Sequence, residues 1–271
     1  MPAQRTLARP ARLEGIGLHT GEPCAVSLGP GAADSGLVFV RNHKEIPARA
    51  EFVTEAKRGV RLGEGSHSIL LVEHLLAALH GLGVDNARIE VEGPELPAGD
   101  GSALPFVRLI RQAGIAAADG QRKPLLVRQP LWVGEGDRYL IALPAAGRLE
   151  ICYFVDFHET VIGRQLVWFR ITPRTFAREI AGARTFGFAS EIAELRRRGL
   201  ARGGSLENAL LIDENGYCGE LRFPDEIARH KVLDLLGDLR LCGRAVEARI
   251  IAVKAGHDLH TELARKLAEA A

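Results

Sequence analysis

The sequence is short of aromatic residues, 6% of its 271 positions, which leaves little ring surface for stacking bases. It lacks a charge excess of either sign: 35 Lys and Arg face 34 Asp and Glu, a formal net charge of +1. That balance excludes a strongly basic nucleic-acid-binding chain and an acidic disordered one. The four cysteines, Cys24, Cys152, Cys218 and Cys242, include no CxxC pair, so they read as reduced thiols rather than a zinc ribbon or a disulfide frame. Long hydrophobic runs are missing too. The longest, such as residues 69–72, fall far short of a bilayer span, and MPAQRTLARPARLEG at the start has no apolar leader core. A cytoplasmic protein is expected. GxGxxG, GxxxxGK[ST] and GxSxG do not occur where nucleotide or serine-hydrolase chemistry would need them.

What is present is an ordinary globular mix, 46% hydrophobic and 25% charged, with 30 Gly and 13 Pro dispersed rather than gathered into a linker. The first residues alternate as a strand does, and Gly15-Ile16-Gly17-Leu18-His19-Thr20-Gly21 is a glycine-punctuated turn. Strands are expected at 25–28, 37–40 and 87–91, and helices at 71–80, stopped by Gly81 and Gly83, and at 102–112, capped by Ser102. After Lys123-Pro124 the pattern restarts. Strands are expected at 125–133, 139–143, 149–157, 167–171 and 248–255. Helices are expected at 175–180 (capped by Thr172 or Thr175), 191–198, 225–241 and 258–269. Each half runs strands first and helices second. This predicts an α+β fold of two similar domains, 1–120 and 121–271, each a sheet covered by helices on one face.

Four segments could carry chemistry. In 229–239, residues four apart share a helix face, so His230, Asp234 and Asp238 form a polar stripe bordered by Lys231. A His and an Asp at this spacing can reach one metal ion; the plain alternative is a solvated face with a helix ion pair. In 72–80, His74 with Glu73 beside it opens an apolar helix. A buried core histidine is the ordinary reading, but an unpaired buried Glu73 would be costly. Residues 254–260 carry His257 and His260 on a strand running through glycine into a helix, where a loop histidine without a role is the alternative. In 182–188, Thr185 could donate to an oxyanion. The Gly203-Gly204-Ser205 turn is too short for a phosphate loop. Together these supply two His and an Asp with a spare carboxylate and a spare His, the inventory of a catalytic zinc with an open fourth position.

These motifs, in this order, with Asp100-Gly101-Ser102-Ala103 between them, resemble the UDP-3-O-acyl-N-acetylglucosamine deacetylases, zinc amidases of lipid A biosynthesis in Gram-negative bacteria. The likeness covers nearly the whole chain. It implies mainly antiparallel sheets with the helices sandwiched between them. It implies His74, His230 and Asp234 as ligands of Zn2+, Glu73 as general base, His257 as general acid held by Asp238, Thr185 as oxyanion donor, and Lys231 as a contact near the site. Substrate contacts implied are Phe186, Leu200, Gly204, Ser205 and His19. Residues 188–213 resemble the family's lipid-passage insert, and Phe186, Phe188, Ala189, Ile192, Leu195, Leu200, Leu206, Ala209 and Leu211 are its expected apolar lining. The partner implied is a small UDP-acyl-sugar, the reaction is hydrolysis of its N-acetyl amide with release of acetate, and a monomer is expected. Departures from the family pattern are a shortened 54–71 stretch, Ser66-His67-Ser68 in place of a threonine-rich run, and His260 in place of Asn. All are expected around the substrate cleft. The alternatives are a paralogous zinc deacetylase for another N-acylated amino sugar and a non-catalytic sugar-nucleotide- or lipid-binding relative.

Overall fold

The computed structural model describes residues 2–158 and 160–270. Two sheets dominate. In the first, the strand order is Ala11–Ile16, Pro23–Pro30, Ala87–Glu92, Leu37–Arg41, Lys44–Pro47. In the second it is Leu131–Glu135, Arg138–Leu143, Val246–Val253, Leu149–Phe157, Gly163–Arg170, with Leu125–Leu126 also paired to the central strand. The two orders are the same, and in each the single parallel pair on the path joins the central strand to the third strand in sequence. A parallel pair needs a crossover, and a helix supplies it in both halves. Alternation puts one face of each sheet inward: Ala87, Ile89 and Val91 are buried between exposed Arg88, Glu90 and Glu92.

The helices are α1 (Glu73–Leu82), α2 (Leu104–Ala113), the single turn α3 (Pro173–Thr175), α4 (Ala189–Arg197), α5 (Glu226–Leu239) and α6 (His257–Glu269). Helix α2 packs on the first sheet, α5 and α6 pack on the second, and α1 lies between α2 and α5. The helices are therefore sandwiched between the sheets, and one continuous apolar core runs through both halves. Position decides composition. Helix α2 buries one stripe, Phe106, Val107, Leu109, Ile110 and Ala113, whereas α1 is buried all round except at His74. Among the described residues no helix is long and apolar enough to cross a membrane.

The expected elements exist, with three informative shifts. Helix α1 runs through Gly81 and ends at Gly83, which takes the left-handed conformation at φ 75°. Gly81 is helical, and its lack of a side chain makes room for Phe176, whose ring would lie 2.3 Å from a Cβ there. The expected strand at 125–133 is broken before Leu131, after Gln129-Pro130, where proline removes a ladder donor. Ser102 lies two residues ahead of α2 rather than at its cap, yet its Oγ still accepts from the Leu104 N–H at 3.2 Å. Thr172, of the two threonines considered, caps α3, accepting from the Thr175 N–H at 3.1 Å. The expected division near residue 120 falls in strand Ile115–Gln121, which pairs antiparallel with Ala3–Leu7.

Helices α1 and α5 touch at backbone distance. A Cβ on Gly237 would lie 2.1 Å from the Glu73 carbonyl oxygen. Gly237→Ala should therefore destabilise the fold by about 1–3 kcal/mol through overpacking, read from chemical denaturation. Gly29→Ala, where a Cβ meets nothing within 4 Å, should stay within about 0.5 kcal/mol.

Candidate functional site

Helix α1 starts at Glu73 and presents His74, its one residue that is not buried. Helix α5 turns His230, Asp234 and Asp238 to the same side by their four-residue spacing. Helix α6 starts at His257, after Gly256 in extended conformation at φ −140°. The three elements converge because Gly237 lets α5 approach the start of α1.

His230 Nε2 lies 3.3 Å from Asp234 Oδ1, and His74 Nε2 lies 3.6 Å from the same oxygen. The other ring nitrogen of His230, Nδ1, donates to the Ala183 carbonyl at 3.2 Å. Burial pushes the His230 pKa down to about 3, so the ring is neutral and Nε2 carries a lone pair. A lone pair facing a carboxylate oxygen at that distance is repulsive, and a cation between them removes the repulsion. The donor set fits a metal: three atoms, two imidazole nitrogens and one carboxylate oxygen, all within 4.8 Å of one another. Lys231 Nζ donates to Asp234 Oδ2 at 2.8 Å and stands 5.6 Å from the centre of the Phe186 ring.

Glu73 and His257 flank this set. Glu73 is buried and accepts from the Val60 N–H at 3.0 Å; burial raises its pKa. His257 Nδ1 lies 2.7 Å from Asp238 Oδ2, and its Nε2 lies 3.8 Å from Asp234 Oδ2. Burial alone would lower the His257 pKa, but the carboxylates of Asp238, Asp234 and Glu73 outweigh it and raise it to about 9. Asp238 Oδ2 also takes His260 Nδ1 at 2.9 Å, and His260 Nε2 lies 2.9 Å from the Tyr153 hydroxyl, which donates to the Ala255 carbonyl at 2.7 Å. Sequence reasoning placed His260 around the cleft. It is instead fully buried behind Asp238: three residues apart on α6, His257 and His260 share a face, and both turn a ring nitrogen to Asp238 Oδ2.

A cavity of about 780 Å³ opens beside these groups. Its walls include Glu73, His74, Thr185, Phe186, Gly204, Ser205, His19, His230, Lys231, Asp234 and His257. Of the expected apolar lining, Phe186, Phe188, Ile192, Leu195, Leu206, Ala209 and Leu211 are there, while Ala189 and Leu200 are not. The Leu200 N–H donates to the Leu195 carbonyl at 2.9 Å, between Arg196 and Ala201, which do line the cavity. From the shortened stretch, residues 56–58 and Leu71 line the cavity but 66–68 do not. The insert is a small sheet, Phe186–Phe188, Leu210–Asp213 and Gly216–Cys218, against which α4 packs, and its Leu210 and Ile212 join Ile162 and Ile227 in a separate apolar cluster.

Several residues went unread in the sequence. Glu95 is fully buried and accepts from the His19 N–H at 2.8 Å and from the Thr20 N–H and hydroxyl at 2.9 Å, which fixes the glycine-punctuated turn. Both His19 ring nitrogens are spent on backbone: Nδ1 accepts from the Ala201 N–H at 3.3 Å, and Nε2 donates to the Arg58 carbonyl at 3.2 Å. His19 therefore ties the walls together and has no ring nitrogen left for a substrate. The buried pair Arg184 Nε–Glu226 Oε1, at 2.8 Å, holds the residue before Thr185. No spacing rule announces these contacts, since each joins segments distant in sequence.

Residues 4–269 match the family described as LpxC: UDP-3-O-acyl N-acetylglycosamine deacetylase. Three similar proteins bear the name UDP-3-O-acyl-N-acetylglucosamine deacetylase. The one from Anaeromyxobacter dehalogenans is 43% identical over 97% of this chain and 87% of its own length. The one from Thermosynechococcus vestitus is 44% identical over 98% and 94%, and the one from a Synechocystis strain 43% over 97% and 98%. With one family matched from end to end and such identity across most of each relative, the chain belongs to the UDP-3-O-acyl N-acetylglycosamine deacetylase family.

Proposed function

We propose that this chain hydrolyses the N-acetyl amide of UDP-3-O-acyl-N-acetylglucosamine, releasing acetate, an early committed step of lipid A biosynthesis. His74, His230 and Asp234 hold Zn2+ in this reading. The observation that carries it is the lone pair of His230 facing the Asp234 carboxylate, between Glu73 and His257, at the wall of a cavity with an apolar arm. A bound zinc ion supplies an acidified water and polarises the amide carbonyl.

The residues divide the proton work. Glu73 takes the proton of the attacking water; its raised pKa suits a base that must later give that proton up. His257, kept protonated by Asp238, delivers a proton to the leaving amine, which departs poorly as an anion. The Thr185 hydroxyl donates to the developing oxyanion, a contribution of about 3 kcal/mol for such a donor. Lys231 holds Asp234 ionised and places positive charge beside the carbonyl. Phe186, Gly204 and Ser205 contact the substrate, and Phe188, Ile192 and Leu211 line the path of its acyl chain. Two domains, 1–120 and 121–271, meet at the site in this reading. A monomer suffices, since one chain carries every group, and four free thiols support a cytoplasmic setting.

The reading is tested by deacetylase assay on UDP-3-O-acyl-N-acetylglucosamine together with metal analysis. His74→Ala and Asp234→Ala should lose metal and activity together and keep the circular-dichroism spectrum; full metal occupancy in His74→Ala would reject the ligand set. The pH–rate profile should be bell-shaped. Its acid limb should go in Glu73→Gln and its basic limb in His257→Gln, each with a rate loss of about 10²-fold or more. Asp238→Asn removes the main group that raises the His257 pKa, so its basic limb should move to lower pH; an unmoved limb would assign the acid elsewhere. Each buried methylene of the acyl chain should contribute up to about 0.8 kcal/mol. Ile192→Glu should therefore depress kcat/KM for long acyl chains far more than for short ones, and equal losses at every length would remove α4 from the acyl path.

A further inference from the structure

A second cavity, of about 600 Å³, shares no lining residue with the first. It lies between segments of the first half, 34–37, 47–51 and 85–86, and segments of the second, 240–245 and 265–269. Arg240, the residue that ends α5, lines it and is only 3% exposed. A guanidinium carries five N–H donors, and this one makes a single hydrogen bond, from Nη2 to the Asp85 carbonyl at 2.8 Å. Among the described residues no carboxylate forms an ion pair with it. The neighbouring Asp85 is already engaged, Oδ1 by Arg122 Nε at 2.8 Å and Oδ2 by the Arg5 N–H at 2.9 Å. The Arg240 nitrogens without a partner are not sealed off either. Asp238 Oδ1 is the sole fully buried side-chain nitrogen or oxygen without one among the described residues, so the free donors of Arg240 open onto the cavity.

A charge removed from water without a bonded counter-charge is expensive, and the nearby Asp85 carboxylate, whose oxygens are taken by Arg122 and the Arg5 N–H, is the one Arg240 feels. The surroundings point the same way. Six Lys and Arg line this cavity against four Asp and Glu. Arg49, Lys123 and Arg244 are exposed at its rim and make no side-chain hydrogen bond or ion pair among the described residues. Arg265 reaches only the Ala50 carbonyl, at 3.4 Å. The volume falls in the range of small-molecule sites, about 300–1,000 Å³, and exceeds what one inorganic anion fills.

We propose that this cavity is a binding site for a small organic phosphate, with Arg240 gripping the phosphate from below and Arg49, Lys123 and Arg244 closing on it from the rim. Guanidinium suits the task because its planar fork matches two phosphate oxygens at once. The ligand would span segments of both halves and stabilise their contact, so occupancy should appear as a raised melting temperature.

The test is calorimetric titration of the full chain with glucose 6-phosphate, and separately with pyrophosphate and sulfate, in metal-chelated buffer. Saturable binding of glucose 6-phosphate should survive excess UDP, weaken with added salt, and fall at least tenfold in the double variant Arg49→Ala with Arg244→Ala. That variant removes two exposed side chains without protein partners, so it should melt as the parent does. Arg240→Met should abolish binding; if it does not fold, the rim variant decides alone. Tighter binding of pyrophosphate or sulfate than of glucose 6-phosphate would overturn the organic-phosphate assignment. Absence of saturable binding, binding displaced by UDP, or full affinity in the rim variant would overturn the site itself.

Discussion

Helices α1 and α5 meet backbone to backbone, and the working geometry depends on that meeting. Gly237 presents no side chain to the Glu73 carbonyl, and two turns away along α1 the His80 ring, with Nδ1 2.9 Å from the Leu236 carbonyl, stitches the same seam. Burial lowers the His80 pKa to about 3, so the ring in the seam is neutral. Each helix is also the crossover that precedes the central strand of its sheet, so the two sheets and the site are registered by one contact. A side chain in that seam would move Glu73 and His74 relative to His230 and Asp234.

Around this seam the protein concentrates groups that would repel or neutralise one another in water. Asp234 and Asp238 are one turn apart on α5 and almost fully buried. They coexist because they face different partners. Asp234 turns one oxygen to two imidazoles and the other to Lys231, while Asp238 gives a single oxygen to both His257 and His260. In a medium of low polarity such placement gives them different surroundings: the first carboxylate lies among groups that could hold a cation, the second raises the pKa of its neighbour His257.

The repeat of strands followed by helices was readable because hydrophobic period marks elements well, and both sheets proved to share one strand order. The stripe of His230, Asp234 and Asp238 was readable because helical spacing fixes which residues share a face. Contacts that join distant segments were not. Glu95 under the glycine-punctuated turn, Tyr153 behind His260, and Glu226 holding Arg184 sit in strands, loops or helix starts whose local pattern is ordinary. Leu200, expected among the apolar lining, is not among the residues that line the cavity: apolar character shows that a residue avoids water, not which way it faces.

Besides the His19 ring, the loop after α4 is attached to the opposite half by main chain. The Arg202 N–H donates to the His19 carbonyl and the Gly203 N–H to the Leu18 carbonyl, both at 3.1 Å, and a Cβ on Gly203 would lie 2.2 Å from the Gly17 carbonyl. Rotamers can yield to a guest by fractions of an ångström, but a two-bond main-chain clasp yields only by opening. The two halves are thus held beside the cavity by a fixed main-chain link, whereas the Leu and Phe side chains of its wall can adjust.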